Sequence, residues 1–269
     1  MKIIYIIILF LFIKLSIKGQ SGNTHRAFNI GEKISYNVYY NLGFMWFNAA
    51  EVFFDIDSTY YKNKKSYHFK SYGYTLPNYS WIYKVNDSYE SIVDYYTFKP
   101  MYFYRDANEG SSRVKSEYRI TDSLIYTDIY NSNLTNYKNK DTVSYEDSTF
   151  DILTTVYVYR NINYEILKPN DIYPIKVLVD GKIYKLHLHY LGIEDAEDDQ
   201  DKIYRCRKFK VLVVKGSIFD GNEDVVVWIS DDKSRVPIRI EAKIIIGSVV
   251  VKMKNIEGNK WLLESKRYN

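Results

Sequence analysis

Alternation of apolar and polar residues with a period of two, in step with the turns that interrupt it, constrains this chain more than any other feature. Within Ile175 to Tyr190, Val179-Asp180-Gly181-Lys182 carries Asp-Gly, the strongest short hairpin signal. A two-residue loop there pairs Val179 with Lys182, Val177 with Tyr184 and Ile175 with Leu186. Ile175, Val177, Tyr184, Leu186 and Leu188 then share one face; Lys176, Lys185, His187 and His189 share the other. Pattern and turn agree, as they must in a real hairpin.

The same logic covers both ends of the chain. Ile34, Tyr36, Val38 and Tyr40 alternate with polar residues. After Asn41-Leu42-Gly43, the run Phe44 to Ile56 sets Ala50, Val52, Phe54 and Ile56 on one face. Near the other end, Ile238, Ile240, Ala242 and Ile244 alternate with Arg239, Glu241 and Lys243. A turn at Gly247-Ser248 predicts Ile244 opposite Val251, Ala242 opposite Met253, Glu241 opposite Lys254 and Lys243 opposite Lys252. Asp231 to Arg235 is then a surface loop between strands, and Pro237 sits at a strand start or bulge.

Further strands are predicted at Ser66–Tyr74, Tyr83–Val93, Met101–Arg105, Arg113–Ile120 and Leu124–Tyr130. Leu76-Pro77-Asn78 can start one helical turn toward Trp81. One longer helix is predicted, Ser148 to Arg160, with Ser148 as cap and Asp151 three residues on. Leu153, Val156, Tyr157 and Arg160 share a face, which in a β-rich chain packs on the sheet. No linker or fixed-period repeat interrupts residues 20–269. They read as a single β-rich domain of about eleven to thirteen strands.

The chain opens MKIIYIIILFLFIKLSIKGQS. A charged start, a short apolar run and a small residue predict a signal peptide over residues 1–19, cut after Gly19. Without a cysteine at the cut, the mature protein is expected in the periplasm or outer envelope, unlipidated, with no integral membrane span. Removing Lys2, Lys14 and Lys18 leaves 34 basic and 33 acidic groups, a balance of +1. That balance gives no general attraction to nucleic acid. Cys206 is the one cysteine, so stability comes from a core rather than an internal disulfide. The 29 tyrosines suit half-buried strands, and an A+T-rich coding bias explains most of them better than an aromatic binding surface does.

An ordered set of motifs runs through the mature chain. It comprises Gly31-Glu32-Lys33-Ile34-Ser35-Tyr36, Asp87-Ser88-Tyr89-Glu90-Ser91-Ile92-Val93-Asp94, Lys99-Pro100 and Glu109-Gly110. It continues with Phe150-Asp151-Ile152-Leu153-Thr154 plus Tyr159-Arg160, then Val227-Trp228-Ile229-Ser230-Asp231-Asp232 plus Arg235-Val236-Pro237-Ile238. Order and spacing resemble a bacterial envelope family known as a domain of unknown function, numbered three-one-zero-eight. Thr154 and Thr155 stand where that family commonly has small residues such as serine. The resemblance implies an exported, mainly antiparallel β protein with one helix, and no established activity.

Candidate chemistry is sparse. His187 and His189 share a strand face, but no third metal ligand is apparent, and a polar outer face explains both. Glu194-Asp195-Ala196-Glu197-Asp198-Asp199-Gln200-Asp201 lacks the ordered positions of a calcium loop and reads as a solvated hairpin tip. Asp231, Asp232 and Arg235 have no nearby nucleophile and read as turn residues. Asp151 and Arg160 complement the helix dipole, with a polar mouth of a cavity as the alternative. Cys206, between Arg205 and Arg207, reads as a small buried residue rather than a reactive thiol.

The expected fold is all-β, a single curved sheet or half-open β-barrel with the helix on its concave face. The expected function is non-catalytic, without cofactor or metal. One form holds a lipid or other apolar ligand between helix and sheet; a second is a structural or partner-binding envelope component with a packed interior; a third is a small outer-membrane β-barrel. The ligand-facing or family-motif candidates are Tyr36, Trp46, Tyr89, Asp151, Tyr157, Arg160, Trp228, Asp231 and Arg235.

Overall fold

The computed structural model describes residues 26–42, 45–81, 83–132, 137–212, 225–243 and 247–268. The signal-peptide expectation for residues 1–19 lies outside them, as do Phe44 and Ile244 of the two terminal hairpins. The first half of the chain is a meander: β1 (Lys33–Leu42), β2 (Met45–Tyr61), β3 (Lys64–Thr75), β4 (Val85–Asp94), β5 (Pro100–Glu109), β6 (Ser112–Ile120), β7 (Leu124–Asn131) and β8 (Tyr137–Ser144). A three-residue strand, β9 (Thr149–Asp151), runs straight into the helix α1 (Ile152–Tyr159). The rest is β10 (Ile172–Val179), β11 (Lys182–Glu197), β12 (Ile203–Leu212), β13 (Val225–Ser230), β14 (Pro237–Lys243) and β15 (Ser248–Glu257).

Among the described residues these form one sheet of 15 strands that does not close, in the order β8-β7-β6-β5-β4-β3-β2-β1-β15-β14-β13-β12-β11-β10-β9. Every pairing is antiparallel except β9 with β10. Bulges at Val38/Tyr39, Ile92/Val93, Tyr190/Gly192 and Trp228/Ile229 bend the strands. The last of these puts Pro237 opposite Ile229, at both a strand start and a bulge, where its missing N–H costs no ladder bond. The sheet curls until the β10–β11 turn meets the inner face of β5–β7. There Gly181 N–H donates to the Tyr118 hydroxyl at 3.2 Å, and Arg105 Nη2 reaches Asp180 Oδ1 at 2.7 Å.

Strand alternation sorts the residues. Along β4 and β5 every second side chain is buried, and the buried set faces inward. All eight residues of α1 are buried, so it lies inside the curl as a plug rather than as an amphipathic cover. Tyr157 stacks on Phe69 with centroids 3.9 Å apart, and Phe28 meets the Tyr157 ring at 5.2 Å.

The structure corrects several expectations. Strand β8, rich in Lys, Asn and Asp, shows no apolar alternation, and β9 is too short to show any; both were missed. The helix begins three residues later than expected. Ser148 has φ +60°, in the left-handed region, whereas a capping residue is extended; Asp151, at φ −69° and ψ 166°, takes the cap. The C-terminal hairpin pairs Ala242 with Val249 and Arg239 with Lys252. This register is four residues from the one expected, with every side chain on its expected face because the slip is even. Lys254 consequently bonds Glu51 across the sheet instead of Glu241. Of the acidic run, Glu194 to Glu197 belong to β11. Asp198 is buried at the turn, where its carboxylate accepts from Gln200 N–H at 2.8 Å and Tyr204 Oη at 3.0 Å.

Candidate functional site

Both ends of α1 are tied into the walls of the sheet. At the N-terminus, Asp151 Oδ1 accepts from the N–H of Leu153 at 3.1 Å and of Thr154 at 2.8 Å, which serves two of the helix's orphan donors. It also accepts from Ser91 Oγ of β4 at 2.6 Å, while Oδ2 takes the Thr154 hydroxyl at 2.6 Å. Burial pushes the Asp151 carboxyl above its usual range, and these donors oppose that shift.

At the C-terminus, Arg160 and Glu32 form an ion pair in which each side chain is 1% exposed. Arg160 Nη2 donates to Glu32 Oε2 at 3.0 Å and to the Ser234 carbonyl at 2.9 Å. Burial alone would lower the arginine's pKa, but Glu32 outweighs it and raises the value above normal. Thus the segment before β1, the helix and the β13–β14 loop meet at one guanidinium.

That loop is not the free surface turn expected from sequence. Asp232 Oδ1 accepts from Ser230 Oγ at 3.0 Å and Ser234 N–H at 2.9 Å, a side-chain-closed turn. Asp231 holds Arg205 and Arg207, each at 2.6 Å. Arg235 donates to the Arg160 and Ile162 carbonyls and lies 4.7 Å above the Tyr164 ring. These two residues therefore pin the loop over the helix end. Asp231→Ala is expected to cost about 1–2 kcal/mol in chemical denaturation, because it leaves Arg207 half-buried without its carboxylate. An unchanged midpoint would remove this structural role.

Between α1 and the sheet lies a cavity of about 20 Å³, bounded by Tyr36, Phe54, Val156, Tyr157, Ile240 and Val251 and touched by Arg160. That is room for about one water molecule. Of the candidates, Tyr36, Tyr157 and Arg160 meet here, with Arg235 just behind. Asp151 lies at the far end of the helix, and Tyr89 is buried on the inner face of β4. Trp46 is 53% exposed at the start of β2. Trp228 sits on the outer face, where its Nε1–H donates to Glu194 at 3.0 Å and Lys208 lies 4.8 Å over its ring. Neither tryptophan lines that cavity.

Sequence reasoning passed over a second polar cluster, on the inner face of β4–β5. Asp87 and Glu109 are buried close together, beside Arg105, Tyr83 and Tyr89. Asn108 N–H donates to Asp87 Oδ1 at 2.8 Å, and Tyr83 Oη lies 3.5 Å from Glu109 Oε2. Burial pushes Asp87 up to about 6; burial and the neighbouring Asp87 push Glu109 up to about 8. Both stand in motifs noted above, and the signal was parity: Val85, Asp87 and Tyr89 alternate inward together. Glu32 was likewise inside a motif without being singled out.

Among the described residues, no group of three or more His, Cys, Asp or Glu side chains is placed to hold a metal. His187 and His189 are half-buried on β11. Cys206 is fully buried and its thiol is pushed up by burial, away from thiolate reactivity.

A family model described as a protein of unknown function (DUF3108) matches residues 35–254. No curated protein matches this chain. Among solved structures, a β-barrel-like protein of domain of unknown function DUF1849 from Brucella abortus is similar, with a TM-score of 0.54 at 7% identity over 85% of this chain and 97% of that one. At that identity the likeness concerns the fold alone.

Proposed function

This chain belongs to the DUF3108 family, and from that premise we propose an exported, unlipidated, non-catalytic protein of the periplasm or outer envelope that acts through its outer surface. The observation that carries this reading is the packing around α1, all eight of whose residues are buried, with a cavity beside them too small for a ligand. Pockets for small molecules run to about 300–1,000 Å³, whereas the concave face leaves about 20 Å³ beside α1. A lipid held between helix and sheet would have to expel a helix that is bonded at both ends. The open sheet and its charged outer ladders, such as Lys208, Arg239 and Glu241 around Trp228, argue against an outer-membrane barrel, whose outward face must be apolar.

The test is native mass spectrometry of the protein purified from its own envelope fraction. The expected mass is that of the bare chain beginning at Gln20. A stoichiometric lipid adduct would return the reading to a carrier. A chain still carrying residues 1–19 would return it to an anchored protein.

A further inference from the structure

We propose that the end of the sheet where β2 begins and β3 ends docks on an anionic phospholipid surface. The inference rests on the reading above in one respect, that the protein works through its outside.

Register places these two strand ends side by side. Asn41 pairs with Trp46, and Ala50 of β2 pairs with Thr75, the last residue of β3. Met45–Phe47, the first residues of β2, and Pro77–Trp81, just beyond β3, therefore lie at the same end of the sheet. The Phe47 and Tyr79 rings touch at 5.8 Å and join them. Met45 is 46% exposed and Trp81 82% exposed, and with Trp46 they put three large apolar side chains on one rim.

Trp81 is held outward by its own turn. The Pro77–Tyr79 turn is closed by Ser80 Oγ donating to the Pro77 carbonyl at 2.9 Å. Its base is fastened by Thr75 Oγ1, which donates to the Tyr83 carbonyl and accepts from Val85 N–H, each at 3.0 Å. Trp81 Nε1–H is satisfied by the Asn78 carbonyl at 3.0 Å, so the indole projects with its polar edge already bonded. The other two tryptophans are used internally: Trp228 bonds Glu194, and Trp261 donates to the Arg26 carbonyl at 2.9 Å.

Charge selects the occupant. From Met45 to Ala50 the sequence carries no charge, and from Thr75 to Lys84 it carries Lys84 alone. Lys243, exposed at the end of β14, lies opposite Ser248, which is itself opposite Asn41. Glu51, the first acid down β2, is neutralised by Lys254 and accepts from Tyr74 Oη at 2.8 Å. Exposed tryptophan and methionine flanked by lysine match the amphipathic depth of a bilayer interface and its negative surface potential. A protein partner would require a broad complementary face, and two strand ends do not provide one.

The experiment mixes the mature chain with vesicles of phosphatidylcholine, with and without added phosphatidylglycerol, and follows co-sedimentation and tryptophan emission. Binding to the anionic vesicles with a blue-shifted emission is expected. The Trp46→Ala/Trp81→Ala variant should lose at least about tenfold in partitioning, with an unchanged unfolding midpoint as evidence of folding. Lys84→Glu should weaken binding most at low salt. Absence of binding by the unaltered chain overturns the proposal, as does equal binding by the double variant. A concentration-dependent dimer that the double variant abolishes, without vesicle binding, assigns the rim to a second copy and also overturns it. None of these outcomes bears on the packed interior, which a co-purifying lipid adduct tests separately.

Discussion

Arg160→Ala is expected to destabilise the protein by about 3–5 kcal/mol, because it strands a buried carboxylate. Glu32 and Arg160 are each 1% exposed, so neither can turn to solvent when its partner is removed. The loss does not stop at the pair. Arg160 also donates to the Ser234 carbonyl, and its own carbonyl accepts from Arg235. The end of α1, the residues before β1 and the β13–β14 loop therefore loosen together. A helix of eight residues has little stability of its own and depends on these anchors. Glu32→Leu/Arg160→Met should be less damaging than either Glu32→Leu or Arg160→Met alone, since it removes both charges and fills the space with apolar atoms. Urea denaturation of the four proteins reads the cycle. A cost under about 1 kcal/mol for Arg160→Ala would mean the helix is held by packing alone.

The second large effect is on pH. Asp87 and Glu109 are raised to about 6 and about 8, chiefly by burial, against about 3.9 and 4.3 in an unfolded chain. Arg105 on β5 moderates both shifts and is itself shared with Asp180 of the β10–β11 turn; Tyr83 and Tyr89 complete the surroundings. The folded state binds more protons than the unfolded one between these limits, so stability falls as pH rises. The pair's contribution is fully present below about pH 4 and is lost progressively until about pH 8, a change on the order of 5 kcal/mol or more. Carboxylates held low by partners, such as Asp57 beside Lys70 and Asp106 beside Arg113, act with the opposite sign in acid. The comparison therefore belongs between pH 5 and pH 9. The unaltered chain should lose stability over that interval, and Glu109→Gln should lose much less and be the more stable protein at pH 9. Parallel pH profiles for the two proteins would show that the pair stays ionised in the fold.

Much of this architecture was legible because strand parity is local. The Asp180-Gly181 hairpin has the expected register, Val179 with Lys182 and Ile175 with Leu186, because a two-residue turn leaves no freedom in pairing. The C-terminal hairpin kept its faces and lost its register. Alternation fixes which side a residue faces, while the partner it meets depends on loop length and on the next strand, here β1. The helix was placed correctly, but its start was not. Ser148 and Asp151 are both good capping residues, and the choice fell to the one that Ser91 on a distant strand could bond.

The candidate site was less legible, for the same reason. Tyr36, Tyr157 and Arg160 meet at the small cavity beside α1. Trp46 and Trp228 do not reach it: Trp46 stands exposed at the start of β2 and Trp228 lies on the outer face beside Glu194, placements that no local pattern announced. Glu32 and Arg160 are 128 residues apart, and nothing local pairs them. Strand content, the sidedness of the strands and the presence of one helix could be read from the residues alone, since these follow from nearest-neighbour backbone geometry. The burial of the helix on every side and the burial of Asp87 and Glu109 together came from the three-dimensional packing. Burial and charge pairing are properties of what the far strands bring, and those strands meet only when the sheet curls.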